Sequence, residues 1–317
     1  MNPLIQSLEK LAPRIGKSPL MKLDAPNINL MVKLEYTNLT GSVKDRPAYN
    51  ILYEGIRKGQ INEDTIIMES SSGNFAIALA TICRELGLRF IPVIDPNINE
   101  MNEEKLRGLA YDVVKVQERD ETGGFLLTRL RYIHKYMEEH PGIYWTNQYA
   151  NKDNYMSYYH TLAPEIAEEA AGVDYLFAAV SSGGTITGLS IRLKELYPHI
   201  KVIGVDVEGS VIFGSPPKPR QLSGIGSSKV PPILSNALID EVMIISEEDI
   251  RKGARELYAT HGVYGGASCG AAYFAVCSYF HNRKFFRLPN VVFICPDHGH
   301  TYQQVVYEQA LSGTVSL

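Results

Sequence analysis

The chain has 317 residues, 45% of them hydrophobic and 21% charged, with a net charge of −4 at neutral pH. These values suit a soluble globular protein with room for two domains and exclude a disordered chain. Without a long basic run, nucleic acid and anionic membrane surfaces are excluded as main partners. No stretch reaches the roughly eighteen consecutive apolar residues of a membrane span, and residues 1–15 carry charges within their apolar pattern rather than a secretory core. The expected location is the cytoplasm. Cys83, Cys269, Cys277 and Cys295 show no paired spacing, which suits reduced thiols there.

In chain order, an apolar strand over 30–34 runs into a polar turn. Ser42, three residues ahead of Asp45, then has the spacing of a capping box. This predicts a helix to about residue 57 with Lys44 in its first turn. There the helix dipole disfavours an ammonium and favours a nucleophilic amine. A strand over 65–69 follows, then Ser70-Ser71-Ser72-Gly73-Asn74, then an Ala- and Leu-rich helix over 75–86 ended by Gly87. Strands over 90–94, 112–116 and 143–147 alternate with helices over 103–110 and 124–139. Such alternation predicts a parallel sheet covered by helices on both faces.

A second series repeats the grammar: helix 158–170, strand 175–180, turn Ser181-Ser182-Gly183-Gly184-Thr185, helix 186–196 and strand 202–207. Regularity stops over 208–232, rich in Gly, Pro and Ser, and so long a loop in a compact protein is generally functional. Strand 241–245 and a helix from Ser246, boxed by Asp249, resume the pattern. Gly265-Gly266-Ala267-Ser268 opens another helix, strand 290–294 follows, and Cys295-Pro296-Asp297-His298-Gly299-His300 precedes a last helix. The expected fold class is α/β, with two open twisted parallel-sheet lobes. The smaller spans 37–150 and the larger 1–36 with 151–317, and ligands are expected in a cleft between them, beyond the carboxyl ends of the strands.

Small residues between strand and helix at Ser181–Thr185 leave backbone amides free to point at an anion, with hydroxyls as added donors, so a phosphate fits. Neither a Gly-Lys-Ser/Thr motif nor Gly-x-Gly-x-x-Gly spacing is present, and an empty turn is the alternative. Ser71-Ser72-Gly73-Asn74 suits a substrate carboxylate or, again, an empty capping turn. Ser268 by itself is an N-cap candidate. Cys295, His298 and His300 lack a nearby fourth ligand, and no metal is expected.

Together, a lysine at a helix start, two anion-binding turns and a late Gly-Gly-x-Ser turn resemble the fold-type II pyridoxal-phosphate enzymes, in particular the cysteine synthase and cystathionine β-synthase family. The resemblance runs from Ser18-Pro19-Leu20 to Gly299. It implies a tryptophan synthase β-like fold, pyridoxal 5'-phosphate in the cleft and a homodimer. It implies that Lys44 carries the cofactor in Schiff-base linkage and later shuttles the proton, with Asn74 beside the ring hydroxyl. Ser71, Ser72, Gly73, Phe75 and Gln148 then match the substrate carboxylate site, and Ser181, Ser182, Gly183, Gly184 and Thr185 the cofactor phosphate. Gly226, in Gly224-Ile225-Gly226, matches the loop beside the ring, and Ser268 the partner of the pyridine nitrogen. A neutral serine there leaves that nitrogen unprotonated, a moderate electron sink suited to β-elimination followed by addition at Cβ, in ping-pong order.

Departures from the family pattern are Ser181-Ser182 where Gly-Thr is usual and Phe75 where Thr is frequent. The stretches 123–129, 144–151, 209–214 and 224–231 resemble a subfamily that joins O-phospho-L-serine to L-glutamate, a step toward L-2,3-diaminopropionate in siderophore or antibiotic assembly. Two anionic substrates require a cation beyond Lys44. Arg129 and Lys229 are the candidates, with plain surface charge as the alternative, and Tyr149 either borders the substrate or packs. A cysteine synthase using sulfide would need neither cation. A non-catalytic relative that binds a partner is the remaining reading, against which the retention of Lys44, Asn74 and Ser268 speaks. Small-molecule amino acids are the expected partners.

Overall fold

A computed structural model describes residues 2–121 and 123–308. Among these the strands are β1 Leu20–Leu23, β2 Asn29–Leu34, β3 Ile66–Glu69, β4 Arg89–Ile94, β5 Val114–Lys115, β6 Ile143–Trp145, β7 Tyr175–Ala179, β8 Lys201–Val207, β9 Glu241–Ile245 and β10 Asn290–Cys295. The chain forms two compact units, Met1–Gly16 with Asn38–Ser157, and Lys17–Thr37 with Tyr158–Leu317.

In the first unit four parallel strands lie in the order β5-β4-β3-β6. Side chains alternate across a strand, and both faces here are covered. Ile67, Phe90 and Ile94 meet helices Asp45–Arg57 and Asn74–Leu86 through Ile51, Leu52, Leu79 and Ile82, while Met68, Ile91 and Val93 meet Ile133 of helix Leu126–Glu139. Near-continuous apolar runs such as Ile66-Ile67-Met68 follow from burial on both faces. Helix Pro3–Glu9 adds Leu4 and Leu8 to the first of these cores. Residues 1–16 therefore belong to this unit rather than with the larger lobe, because a one-sided apolar stripe at i, i+4 spacing must be buried by the surface it packs on.

In the second unit six strands lie in the order β1-β2-β10-β7-β8-β9. Five run parallel; β1 pairs antiparallel with β2, Leu20 opposite Lys33 and Leu23 opposite Leu30. This edge strand adds to the expected parallel sheet, and it is antiparallel because residues 24–28 are too few for a crossover and permit only a hairpin. Val32, Phe177, Ile203, Val205 and Phe293 form the core with helix Ala267–Phe280. The helix expected over 158–170 is divided into a π-helical turn Tyr158–Leu162 and helix Ala163–Glu169. Pro164, which has no N–H to give, stands at the start of that second piece. After strand β10 the chain takes a 3-10 turn Gly299–Tyr302 and a π-helical segment Gln303–Tyr307 in place of a regular helix; the rest of that expectation lies outside the described residues.

Candidate active site

Helices Pro3–Glu9, Glu100–Leu109 and Glu247–His261 start with a side-chain cap, in which Asn2, Asn99 and Ser246 accept from Leu4, Asn102 and Asp249 amides. Helices Asn74–Leu86, Gly184–Leu196 and Ala267–Phe280 start instead from Gly73, Gly183 and Gly266, with no side-chain cap. A helix start without a side-chain cap is the kind of place where backbone amides can meet an anion. These three starts follow the ends of β3 and β7 and the segment that pairs Gly265 with His298.

In the first unit Lys44 is the half-buried N-cap residue of helix Asp45–Arg57, at φ −76° and ψ −13°. The N-cap is thus Lys44 and not the Ser42 of the expected capping box. Ser42 Oγ accepts from the Lys44 N–H at 3.2 Å, and the Asp45 carboxylate turns back to Thr40, accepting from its N–H at 2.8 Å and its hydroxyl at 2.6 Å. Asp45 therefore braces the loop ahead of Lys44.

Beyond β3, Ser72 Oγ accepts from Arg129 Nη1 at 3.4 Å, and the same guanidinium pairs with Asp95 at 3.2 Å. Asn74 opens the helix rather than closing the turn, and Phe75 is 2% exposed, its ring in the core, so only its backbone faces the turn. Glu69 is fully buried beneath this turn and bonds Ser70, Thr146 and the backbone of Gln148. Burial pushes its carboxyl up, against the hydrogen bonds from Thr146, Gln148 and Ser70. Gln148 is buried and Tyr149 half-buried in the segment after β6. Two polar sets thus flank the turn, Ser72 with Arg129 and Asp95, and Glu69 with Ser70, Thr146 and Gln148, while Ser71 Oγ accepts from the Gly73 N–H at 3.5 Å. Sequence reasoning missed Glu69, Asp95 and Thr146; the one visible signal was a carboxylate closing an apolar strand.

In the second unit the turn after β7 passes through Gly183 at φ +84°, with Ser182 and Gly184 buried and Ser181 and Thr185 partly open. The long loop expected over 208–232 is tied to it. Gly226 N–H donates to Val180 O at 2.8 Å, and Ser181 Oγ donates to Gly226 O at 3.1 Å. Arg220 holds the loop from behind through Ile225 O and Ser228 Oγ, both at 3.3 Å. Lys229 is exposed, its N–H on Ser227 Oγ at 3.1 Å, and its ammonium reaches no carboxylate among the described residues.

Ser268 is the second residue of its helix, 2% exposed, and is not the N-cap. That place belongs to Gly266, whose N–H donates to Asp297 O at 3.0 Å. His298 packs edge-on against Tyr36 and Tyr264, with centroids at 5.2 and 5.1 Å, and burial followed by the nearby His300 pushes its pKa down.

Taken unit by unit, the donors are of the chemical kinds that a phosphorylated pyridine requires. The uncapped turn Ser181–Thr185 offers amides and hydroxyls to a phosphate, Ser268 offers a neutral hydroxyl at a second helix start, and Lys44 offers an amine on a braced backbone.

The family of pyridoxal-phosphate dependent enzymes matches residues 11–297. The chain is 39% identical over 299 residues to N-(2-amino-2-carboxyethyl)-L-glutamate synthase of Ralstonia nicotianae, covering 93% of this chain and 88% of that protein. It is likewise 39% identical over 302 residues to the protein of the same name from Cupriavidus metallidurans, covering 93% and 89%. Among solved structures it is similar to an O-acetylserine dependent cystathionine β-synthase from Helicobacter pylori, with a TM-score of 0.84 and 32% identity over 94% of this chain and 98% of that one. The chain belongs to the family of pyridoxal-phosphate dependent enzymes, has the cysteine synthase type of α/β fold, and is an enzyme that uses pyridoxal 5'-phosphate.

Proposed function

We propose that the protein joins O-phospho-L-serine to L-glutamate, giving N-(2-amino-2-carboxyethyl)-L-glutamate and phosphate, a step toward L-2,3-diaminopropionate for siderophore or antibiotic assembly. The Cβ–O bond of the donor breaks, the glutamate nitrogen bonds to Cβ, and that amine gives up a proton. The observation that carries the reading is Arg129, a guanidinium only 11% exposed whose Nη1 reaches Ser72 Oγ. A phosphate or carboxylate gains from such a cation, whereas sulfide has no use for it. The names of the two bacterial relatives support the same reading.

In this reading the bound cofactor supplies the electron sink for bond breaking at the donor's α-carbon. Lys44 Nζ holds the cofactor and moves the α-proton, and Asn74 steadies the ring. Ser71, Ser72, Gly73, the Phe75 backbone and Gln148 hold the donor's α-carboxylate. Ser181, Ser182, Gly183, Gly184 and Thr185 hold the cofactor phosphate, with Gly226 beside the ring and Ser268 at its nitrogen. Arg129, Tyr149 and Lys229 orient the anionic groups of the two substrates. The protein works in this reading as a cytoplasmic homodimer, which its free cysteines suit; light scattering tests the dimer.

A second reading, sulfide as the nucleophile, is favoured by the likeness to a cysteine synthase from Entamoeba histolytica, with a TM-score of 0.85 and 29% identity over 95% of this chain and 90% of that one. Purified protein given O-phospho-L-serine, L-glutamate and sulfide together separates the two by mass spectrometry. A glutamate adduct as main product supports the proposal, and cysteine as main product replaces it with the second reading.

A further inference from the structure

Glu69 ends β3 with its side chain at 0% exposure. Its two oxygens face two different segments. Oε1 accepts the Ser70 N–H at 2.9 Å, while Oε2 accepts the Thr146 hydroxyl at 2.5 Å and the Gln148 N–H at 3.3 Å. Ser70 opens the turn that runs to Asn74, and Gln148 lies just beyond β6. From the other side Gln148 O accepts from Asn154 Nδ2 at 2.5 Å, and Asn147 ahead of it adopts a left-handed φ of +46°. The Gln148 backbone is thereby pinned from both directions. Its side-chain amide makes no hydrogen bond among the described residues.

A buried carboxylate is expensive to desolvate, and an apolar residue after Ile66-Ile67-Met68 would serve packing better. What an apolar residue could not do is bond both segments at once.

We propose that Glu69 is a positioning residue for the donor's α-carboxylate, setting the register between the 70–74 turn and Gln148 so that both close on the same group. The inference rests on the proposed assignment of that turn and Gln148 to the carboxylate, and extends it to a residue that does not touch substrate. Glu69 is suited to the task because one rigid, three-bonded group fixes two loops beyond the last backbone bond between the strands, from the Thr146 N–H to Met68 O at 3.2 Å.

The test uses the cofactor-loaded Glu69→Gln variant, which keeps the shape but not the charge. Steady-state KM for O-phospho-L-serine and for L-glutamate, visible cofactor absorbance, and hydrogen exchange at the Ser70 and Gln148 amides are compared with wild type. The donor KM should rise about tenfold and the glutamate KM change by less than about twofold, with absorbance retained. Exchange at the two amides should quicken about tenfold. Glu69→Gln added to Gln148→Ala should raise the donor KM no further than Gln148→Ala alone. An unchanged donor KM, or additive effects in the double variant, overturns the proposal. If wild type does not turn over O-phospho-L-serine, the functional reading fails, and exchange alone decides the role of Glu69: unchanged protection at both amides overturns it, and loss at both upholds the register.

Discussion

Arg129 Nη1 stands 3.2 Å from Asp95 Oδ2, with the two side chains only 11% and 7% exposed. The cation assigned to an anionic substrate is therefore also the partner of a buried carboxylate. Removing one member of such a pair strands the other, at a cost of about 3 to 5 kcal/mol. Arg129→Gln should accordingly lose about 3 kcal/mol in urea denaturation. Asp95→Asn combined with Arg129→Gln should recover most of that loss without recovering use of O-phospho-L-serine. Recovery of both would mean that Arg129 serves only the fold.

Lys44 is half-buried; its N–H donates to Ser42 Oγ at 3.2 Å and its carbonyl accepts from the Ala48 N–H at 3.1 Å, backbone bonds that an alanine keeps. Lys44→Ala should therefore leave thermal unfolding within about 1 kcal/mol of wild type. The visible absorbance of the reconstituted protein should vanish on dialysis, because no other amine is assigned to hold the cofactor. Retained absorbance would move the attachment to another lysine.

Gly226 has φ +73°, and a Cβ there would come within 2.2 Å of Arg220 Nη1 and 2.6 Å of Val207 Cγ1. Arg220 can swing away, but the strand residue cannot. Gly226→Ala should cost about 1 to 3 kcal/mol in stability. Because Gly226 is bonded to Val180 and Ser181, it should also weaken cofactor retention, measured by absorbance titration. A variant as stable as wild type with unchanged titration would show that the loop adjusts freely.

Stability should depend on pH through Glu69. Burial raises its carboxyl above the ordinary value of 4.5, although three hydrogen bonds work against that rise. Between the unfolded and folded values the folded protein binds more protons. The stability contributed is thus fully present below the unfolded value and lost as pH rises through the folded one. Glu69→Gln does not titrate at this position. The stability of wild type minus that of the variant, read from urea midpoints, should fall as pH rises above 4.5 and then level off. A flat difference would place the same pKa in both states.

The alternation of apolar strands with helices, and the three Gly-bearing turns ahead of helices, were legible because they rest on local chemistry. Burial on both faces leaves its mark in the apolar run Ile66-Ile67-Met68, and a helix start open to an anion needs small residues such as Gly73, Gly183 and Gly266. Local rules misjudged Ser42 and Asp45, where the right capping spacing lost to Thr40, and Ser268, where Gly266 took the cap. The antiparallel β1 edge and the place of the first helix were hidden for a related reason: strand and helix partners are chosen by surfaces far away in the chain.

Residue type and order by themselves determined the α/β class, the family and the set of polar turns, since backbone conformation and anion binding are short-range properties. Only the tertiary structure decided that Phe75 turns its ring into the core, that Arg129 spends part of its charge on Asp95, and that Glu69 bonds Ser70, Thr146 and Gln148. Those contacts join residues up to 79 positions apart. Burial and pairing depend on which distant groups arrive at the same place, and no local pattern carries that information.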